Sequence, residues 1–398
     1  MRAIDWYAGI PLCYLLAFLR WLGTPLRGGP VRRARRIVVI KMLGSGSVVL
    51  AAPAVAALRR AHPGARVSFV TFAENREVVD LLGLADEVLT VRRANLAAFI
   101  LDTLRAVWRL RRPRPDLAVD LEFFSKYSVA LAALSGARTL AGYDLTLEPW
   151  RRALLDVRGY YNHYWHVKDI FLSLAYLLAT RDQYYLGFDA FVKRHPMPAL
   201  NPDRGDREAM RLRLRAAGLG HGPLLVVNPN TSADTAPHLK RWPEARWGEL
   251  IAGLFALYGR GAGVVLTGSA GERADTEAVR RRVPARWRGR VLNWAGETSL
   301  EELATLFALA RALITIDSGP MHLAALTGVP VVGLFFAETP ALYGPLAARR
   351  AVVAPRLYSL PLFTVYTGKR PVAPANAPAR LVDAREVLRA VRAVRRVA

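Results

Sequence analysis

One short stretch of the chain combines residue types that could bind an anion. The segment Asp317-Ser-Gly-Pro-Met-His322 lies between two apolar runs, 312–316 and 331–335, of the kind that buried parallel strands show. Gly319 and Pro320 suit the start of a helix, and a helix that begins at the carboxyl end of a strand presents free N–H groups to phosphate. His322 could reach the same anion, and Asp317 could accept a hydroxyl proton. The alternative is a well-capped helix with a surface-exposed histidine.

Three further polar stretches follow strands in the same half of the chain. Residues 228–232 offer hydroxyls and amides, and Lys240 with Arg241 opens a helix with two cations that suit a diphosphate. A glycine-rich turn at 267–271 leads into a helix at Glu272, which is placed to accept ribose hydroxyls as in dinucleotide-binding folds. Because all four stretches lie at strand ends, they together predict a site for a nucleotide-diphosphate donor.

The elements that carry these stretches alternate between strand and helix. This alternation predicts an α/β protein with two doubly wound, Rossmann-like domains that face a cleft. We expect the acceptor-binding domain at 36–200 and the nucleotide-sugar-binding domain at 201–360, followed by an irregular segment and a terminal helix at 361–398. Residues 145–200 show no clear periodicity and are predicted to cross between the domains.

Composition narrows the function classes. The 398 residues carry a net charge of +24 and are 53% hydrophobic, which excludes a disordered chain and suits an anionic partner. Nucleic acid is not expected, since no aromatic stacking module accompanies the charge. Cys13, the single cysteine, excludes an intramolecular disulfide and a cysteine-based metal cluster. His163 and His166 lack a carboxylate partner, so we predict neither a metal site nor a cofactor.

The N-terminal segment 1–35 is apolar and then basic. Pro11 and Arg20 interrupt its apolar part, which is short for a span of ~20 residues. Trp6 and Trp21, followed by several arginines, predict an anchor in the interface of an anionic membrane. The alternative is a helix packed on the body of the protein. We expect a cytoplasmic protein that is peripheral on the inner face of a bacterial cytoplasmic membrane.

The motifs resemble glycosyltransferase family 9, the ADP-heptose:lipopolysaccharide heptosyltransferase family. The similarity extends over residues 36–345, and its most specific part is Asp317-Ser-Gly-Pro-Met-His-Leu-Ala324. Lys240-Arg-Trp-Pro243 and Leu266-Thr-Gly268 with Glu272 also match. The resemblance implies a GT-B fold, a donor in the C-terminal domain, and metal-independent inversion at the anomeric carbon. It implies as partners a nucleotide-diphosphate sugar, with heptose as the family default, and a lipopolysaccharide-core or other lipid-linked acceptor.

The resemblance also implies roles for single residues. Lys240 is expected to neutralise the donor phosphates, Glu272 to hold the ribose, and Asp317 to hold a sugar hydroxyl. The Ser318 and Gly319 amides are expected to receive the diphosphate with His322, where preorganised donors stabilise the departing charge. The predicted donor-binding residues are Asn228, Thr231, Ser232, Lys240, Arg241, Thr267, Gly268, Glu272, Asp317, Ser318, Gly319 and His322.

One position departs from the family. After the first strand the family has Gly-Asp, whose aspartate acts as general base, whereas this chain has Gly46-Ser47 in a predicted loop. Serine does not take up a proton unaided at neutral pH. We therefore expect Glu122, at the rim beyond the strand that ends near Leu121, to act as the general base. Lys240, which neutralises the donor phosphates, is the second predicted catalytic residue. The alternatives are a solvated Glu122 and, as second candidate base, Asp120, which could instead only cap its strand end.

Two other functions compete with glycosyl transfer. A nicotinamide-dependent oxidoreductase is disfavoured because the glycine-rich loop at 44–49 lacks the third small residue of the dinucleotide fingerprint. A non-catalytic protein that binds a nucleotide sugar or glycolipid at the membrane remains open because of Ser47. Binding of a nucleotide sugar without transfer would distinguish this alternative from the enzyme.

Overall fold

Short runs of branched apolar residues form the strands of two parallel sheets. The computed structural model describes residues 9–23, 31–145, 149–231, 240–355 and 377–396. Ser232, residues 1–8 and 24–30 of the predicted membrane segment, and residues 361–376 of the predicted irregular segment lie outside the described residues. The chain divides into an N-terminal unit, Met1–Met197, and a C-terminal unit, Pro198–Ala398.

Each unit contains one six-stranded sheet. The strands are β1 Arg36–Ile40, β2 Arg66–Phe72, β3 Glu87–Val91, β4 Leu117–Asp120, β5 Thr139–Asp144, β6 Val157–Tyr160, β7 Leu224–Asn228, β8 Gly263–Leu266, β9 Val291–Asn293, β10 Ala312–Ile316, β11 Val331–Leu334 and β12 Arg350–Val353. The N-terminal order is β3-β2-β1-β4-β5-β6, the C-terminal order is β12-β11-β10-β7-β8-β9, and neighbouring strands are parallel throughout. The predicted α/β class with two doubly wound sheets is confirmed.

Helices connect the strands and cover the sheets. They are α1 Gly9–Leu22, α2 Ser45–Ala61, α3 Arg76–Leu81, α4 Leu96–Leu110, α5 Lys126–Leu134, α6 Pro149–Arg152, α7 Val167–Thr180, α8 Phe188–Arg194, α9 Arg204–Ala216, α10 Glu244–Tyr258, α11 Arg273–Arg282, α12 Ala285–Arg288, α13 Leu300–Leu309, α14 Gly319–Ala325, α15 Pro340–Tyr343, α16 Ala377–Arg380 and α17 Ala384–Arg396. Burial on both faces explains why the central strands are continuously apolar: in β10, all five residues are buried.

The order of each sheet determines where ligands can approach. In the N-terminal sheet, the direction of winding reverses between β1 and β4, and in the C-terminal sheet between β7 and β10. Doubly wound sheets bind their ligands outside the carboxyl ends of the strands at such a reversal. The loops after β1, β4, β7 and β10 are therefore the places where functional side chains are expected.

Two local predictions are wrong. The loop predicted at 42–47 ends early, because α2 begins at Ser45 after Gly44, whose φ of 79° favours glycine. Residues 145–200 do not merely cross between domains: β6 pairs with β5 in the N-terminal sheet, and α7 packs against α2. The apolar side of α7 is fully buried, for example at Phe171, so this segment completes the N-terminal core.

The N-terminal helix α1 packs on the body of its unit. Cys13, Leu16 and Ala17 are buried in the same apolar cluster as residues of β1 and α5. Arg20 donates to Asp156 at 2.6 Å and to the Ala137 carbonyl at 3.1 Å, which fastens the end of the helix. Among the described residues, no helix is both long enough and apolar enough to cross a bilayer.

Candidate functional site

A buried ion pair occupies the carboxyl end of β10. Lys240 Nζ lies 2.6 Å from Asp317 Oδ2, and the two side chains are only 9% and 10% exposed. Asp317 is held by the sheet, since its backbone N–H donates to the Leu334 carbonyl of β11. Removing two charges from water costs free energy. A buried ion pair is therefore retained where its groups have a function or where further polar partners offset that cost.

Glu338 completes this cluster and was not foreseen from the sequence. It follows β11, the strand beside β10, and is 9% exposed. The pKa of Glu338 is raised to about 8, chiefly by burial; the Lys240 charge lowers it and the Asp317 charge raises it. For Lys240, burial lowers the pKa, but the carboxylates of Asp317 and Glu338 outweigh burial and the pKa is raised. A lone carboxylate just after a strand neighbouring β10 was the signal available in the sequence.

The segment after Asp317 forms the expected turn into a short helix. Ser318 is the N-cap residue of α14, with an extended backbone, and Pro320 lies in the first turn. The Ser318 hydroxyl lies 3.1 Å from the Thr315 hydroxyl. His322 is 4% exposed, so the alternative of a surface-exposed histidine is wrong. Asp317, Lys240, Ser318 and His322 thus belong to one region at the end of β10.

The neighbouring strands β7 and β8 add a second group of polar side chains. Asn228, the last residue of β7, and Thr231 beyond it are buried, and Asn230 Nδ2 donates to the Thr267 carbonyl at 3.2 Å. A Cβ at Gly268 would lie 2.6 Å from Asn230 Nδ2, so only glycine fits there without displacing that amide. Thr267 Oγ1 is buried and has no hydrogen-bond partner among the described residues. This unsatisfied hydroxyl is available to a ligand.

Two predicted donor residues lie further out and have other partners. Glu272 Oε2 accepts hydrogen bonds from Ser269 N and Oγ at 2.7 and 2.9 Å, forming the capping box of a 3₁₀ turn, Ala270–Glu272. Arg241 forms a surface ion pair with Asp275, both about half exposed. The capping box leaves Glu272 half-buried at the edge of the region, and its contact with ribose stays a prediction.

In the N-terminal unit, Glu122 joins the loops after β1 and β4. Its Oε1 accepts hydrogen bonds from Lys41 Nζ at 2.7 Å and from the Met42 and Leu43 backbone N–H groups at 2.8 Å. Glu122 is 2% exposed, so the alternative of a solvated loop residue is wrong, and the expectation of an open rim position is corrected. All three of these hydrogen bonds are to Oε1, and none of them is to Oε2.

The hydrogen bonds of Asp120 support a structural role for its carboxylate. Its Oδ2 accepts from Arg151 at 2.7 Å and from the Ser128 hydroxyl at 3.0 Å, while Oδ1 accepts the Glu122 N–H at 3.1 Å. Burial raises the pKa of Asp120 to about 6, against the opposing effect of the Arg151 charge. These contacts fit the strand-end cap that the sequence suggested as its alternative role, and they orient the chain that leads to Glu122.

Gly46 and Ser47 lie in the first turn of α2. Gly46 is buried and Ser47 half-buried, close to the β1 loop that Glu122 holds. The sequence placed them in a loop, and the helical position is a correction. Among the described residues, no group of three or more His, Cys, Asp or Glu side chains is arranged to hold a metal ion.

Comparison with known proteins gives sequence relatives. A model of glycosyltransferase family 9 (heptosyltransferase) matches residues 176–366. Lipooligosaccharide heptosyltransferase 2 of Haemophilus influenzae is 29% identical over 158 residues, which cover 40% of this chain and 44% of that protein. Lipopolysaccharide heptosyltransferase 3 of Escherichia coli is 27% identical over 315 residues, covering 75% and 83%. The chain therefore spans less than half of the length of the Haemophilus relative.

Solved structures share the fold. The E. coli ADP-heptose lipopolysaccharide heptosyltransferase II has a TM-score of 0.70 at 20% identity, covering 91% of this chain and 99% of that one. A family 9 glycosyl transferase from Veillonella parvula has a TM-score of 0.74 at 19% identity, covering 93% and 100%. At this identity the likeness concerns the fold, and the predicted GT-B class is confirmed.

Proposed function

Since a model of glycosyltransferase family 9 (heptosyltransferase) matches residues 176–366, we propose that the chain is an inverting, metal-independent glycosyltransferase. It moves a sugar, heptose by family default, from a nucleotide-diphosphate donor to a lipopolysaccharide-core or other lipid-linked acceptor. The observation that carries the proposal is the buried Lys240–Asp317 pair at the carboxyl end of β10, beside the Asp317–His322 turn. The motifs that predicted the family lie at this same sheet edge.

In the proposed reaction, the acceptor hydroxyl oxygen attacks the anomeric carbon of the donor sugar. The bond from that carbon to the diphosphate oxygen breaks, and the nucleoside diphosphate leaves with the electron pair. Lys240 and the Ser318 and Gly319 amides, with His322, receive the growing negative charge, and such preorganised groups stabilise the transition state. Asp317 holds a sugar hydroxyl, and the pKa of Glu338, raised by burial to about 8, favours the neutral form of this carboxyl beside Asp317.

The acceptor proton goes to Glu122 in this proposal. Three N–H donors fix Glu122 Oε1, so the carboxylate has one orientation and Oε2 is left to accept the hydroxyl proton. A held carboxylate can serve as a general base if the substrate hydroxyl comes within hydrogen-bond reach. The site would act at the inner face of the cytoplasmic membrane, where the predicted segment 1–35 binds.

A screen of nucleotide sugars tests the donor site. We expect one of the ADP-, UDP-, GDP- or CMP-linked sugars to raise the melting temperature, because a ligand at 100 times its Kd stabilises by about 2.7 kcal/mol. His322→Ala should abolish the ligand-induced shift, whereas His221→Ala, at an exposed histidine of the same unit, should retain it. Comparing shifts with and without ligand separates lost binding from lost stability. A shift that survives His322→Ala would contradict the assigned site.

The second candidate is a non-catalytic protein that binds a nucleotide sugar or glycolipid. Ser47, at the position of the family's catalytic aspartate, favours it. Calorimetry and a transfer assay with membrane lipid extracts distinguish the two functions. Nucleotide-sugar binding without any glycosyl transfer would support the non-catalytic protein and refute the enzyme.

A further inference from the structure

Exposed apolar side chains are concentrated on two helices of the N-terminal unit. Of the nineteen large apolar residues that are exposed in the described part of the chain, twelve lie on α1 and α4. Single exposed apolar residues are common on protein surfaces, whereas a group of them marks an interaction surface. The twelve are Leu12, Tyr14, Leu15, Phe18, Leu19, Trp21, Leu22, Leu96, Ile100, Leu101, Leu104 and Trp108.

Helix α4 was not foreseen as an interaction element. Its buried residues are Asp102, Ala106 and Leu110, which define the side that packs on the protein. On the other side, Leu104 and Trp108 are 61% and 57% exposed. Leu96, Ile100, Leu104 and Trp108 follow one another at intervals of four residues, so they form a continuous apolar stripe along the helix.

Helices α1 and α4 lie on the same side of the N-terminal sheet. Both contact α5, and residues of all three helices belong to one buried cluster. Cys13 and Leu16 from α1 and Leu110 from α4 are members of this cluster. Because their packed sides share one layer, the exposed sides of both helices face away from that layer. The twelve side chains therefore lie on the same side of the N-terminal unit, and we call them together the α1–α4 surface.

The charge around α4 identifies the partner. Residues 92–114 contain seven arginines and one acidic residue, Asp102, which pairs with Arg92 at 2.7 Å. Arg93 and Arg109 pair with Glu74 and Glu87 of neighbouring elements, and the arginines still outnumber these three carboxylates by seven to three. The Arg112 guanidinium lies 5.2 Å from the centre of the Trp108 ring, so cation and apolar stripe are adjacent. A second copy of this chain would bring the same positive charge against itself, whereas anionic lipid complements it. Tryptophan and tyrosine beside arginine are typical of membrane interfaces.

We propose that the α1–α4 surface docks on an anionic lipid leaflet, with the exposed side chains of α1 and α4 inserted at the level of the headgroups. The inference deepens and rests on the membrane association in the proposed function, and it adds α4 as a second element of contact. It does not depend on the transfer chemistry. When two helices of the protein both contact lipid, the orientation of the protein on the membrane is fixed. A single contacting helix would leave that orientation undefined.

Vesicle cosedimentation of the full chain tests the surface. We expect binding to phosphatidylcholine vesicles that contain phosphatidylglycerol, and much weaker binding to phosphatidylcholine alone. The double variant Ile100→Ser/Leu104→Ser should lower the partition coefficient roughly tenfold, because two apolar side chains no longer enter the lipid. Leu212→Ser, at a residue of the C-terminal unit that is 56% exposed, is the matched control and should bind as the unmodified protein does.

Three outcomes overturn the inference. If the α4 double variant binds like the unmodified protein while Phe18→Ser weakens binding, α1 alone contacts lipid, and the membrane association survives without α4. If the unmodified protein does not bind anionic vesicles, the docking of the α1–α4 surface and the membrane association in the proposed function are both refuted. Sugar transfer to a detergent-dispersed acceptor can still be measured in that case. If ultracentrifugation without lipid shows a dimer that the α4 variant abolishes, a second copy covers the surface.

Discussion

Lys240 and Arg241 are adjacent in the sequence and form ion pairs of equal length but opposite environment. The Lys240–Asp317 pair is 2.6 Å long with side chains 9% and 10% exposed. The Arg241–Asp275 pair is also 2.6 Å long, with side chains 54% and 49% exposed. Distance is therefore the same, and any difference in the effect of removing the cation arises from burial.

We expect Lys240→Met to lower the free energy of unfolding of the C-terminal unit by about 3–5 kcal/mol, since it leaves a buried carboxylate without its cation. Arg241→Met should cost about 1 kcal/mol or less, because water screens an exposed pair. The double variant Lys240→Met/Asp317→Asn should be more stable than Lys240→Met alone. Removing the second charge also removes the penalty for leaving it unpaired.

Urea unfolding followed by hydrogen exchange measures this difference. Peptides from β7 and β10 report the C-terminal unit separately from the N-terminal one, which matters because a chain with two units need not unfold in one step. Equal losses for Lys240→Met and Arg241→Met would refute the reasoning. Additive losses in the double variant would refute it as well, because the two side chains would then not be coupled.

Two further predictions concern the carboxylates of the two units. Burial raises the pKa of Glu338 from 4.5 to about 8, so its contribution to stability is full below pH 4.5 and is lost as the pH rises through about 8. Between about pH 5 and 8 the Glu338 carboxyl is ionised in the unfolded chain and protonated in the folded one, so the unfolding free energy should fall with pH more steeply than in Glu338→Gln. Identical slopes would contradict the burial argument. Glu122→Gln should lower the transfer rate by about 10²–10⁴-fold and leave nucleotide binding intact, and near-normal turnover would exclude Glu122 as the base.

The sequence was sufficient for the strands and for the turns that follow several of them. The runs that became β7, β8 and β10 are continuously apolar because both faces of a parallel sheet are covered, and this pattern is local. The turn after β10 was also visible, since Gly319 and Pro320 act on their own backbone. Edge strand β6, Val157–Tyr160, escaped prediction because its residues alternate between exposed and buried and include Arg158 and Gly159.

Tertiary structure decided which side chains meet. Lys240 and Asp317 are 77 residues apart, and Lys41 and Glu122 are 81 apart. Their contacts depend on β10 lying beside β7 and on β4 lying beside β1, which local periodicity does not encode. Glu338 joined the cluster for the same reason, through β11. Local residue patterns thus determined the elements and their turns, whereas the order of the strands determined the site.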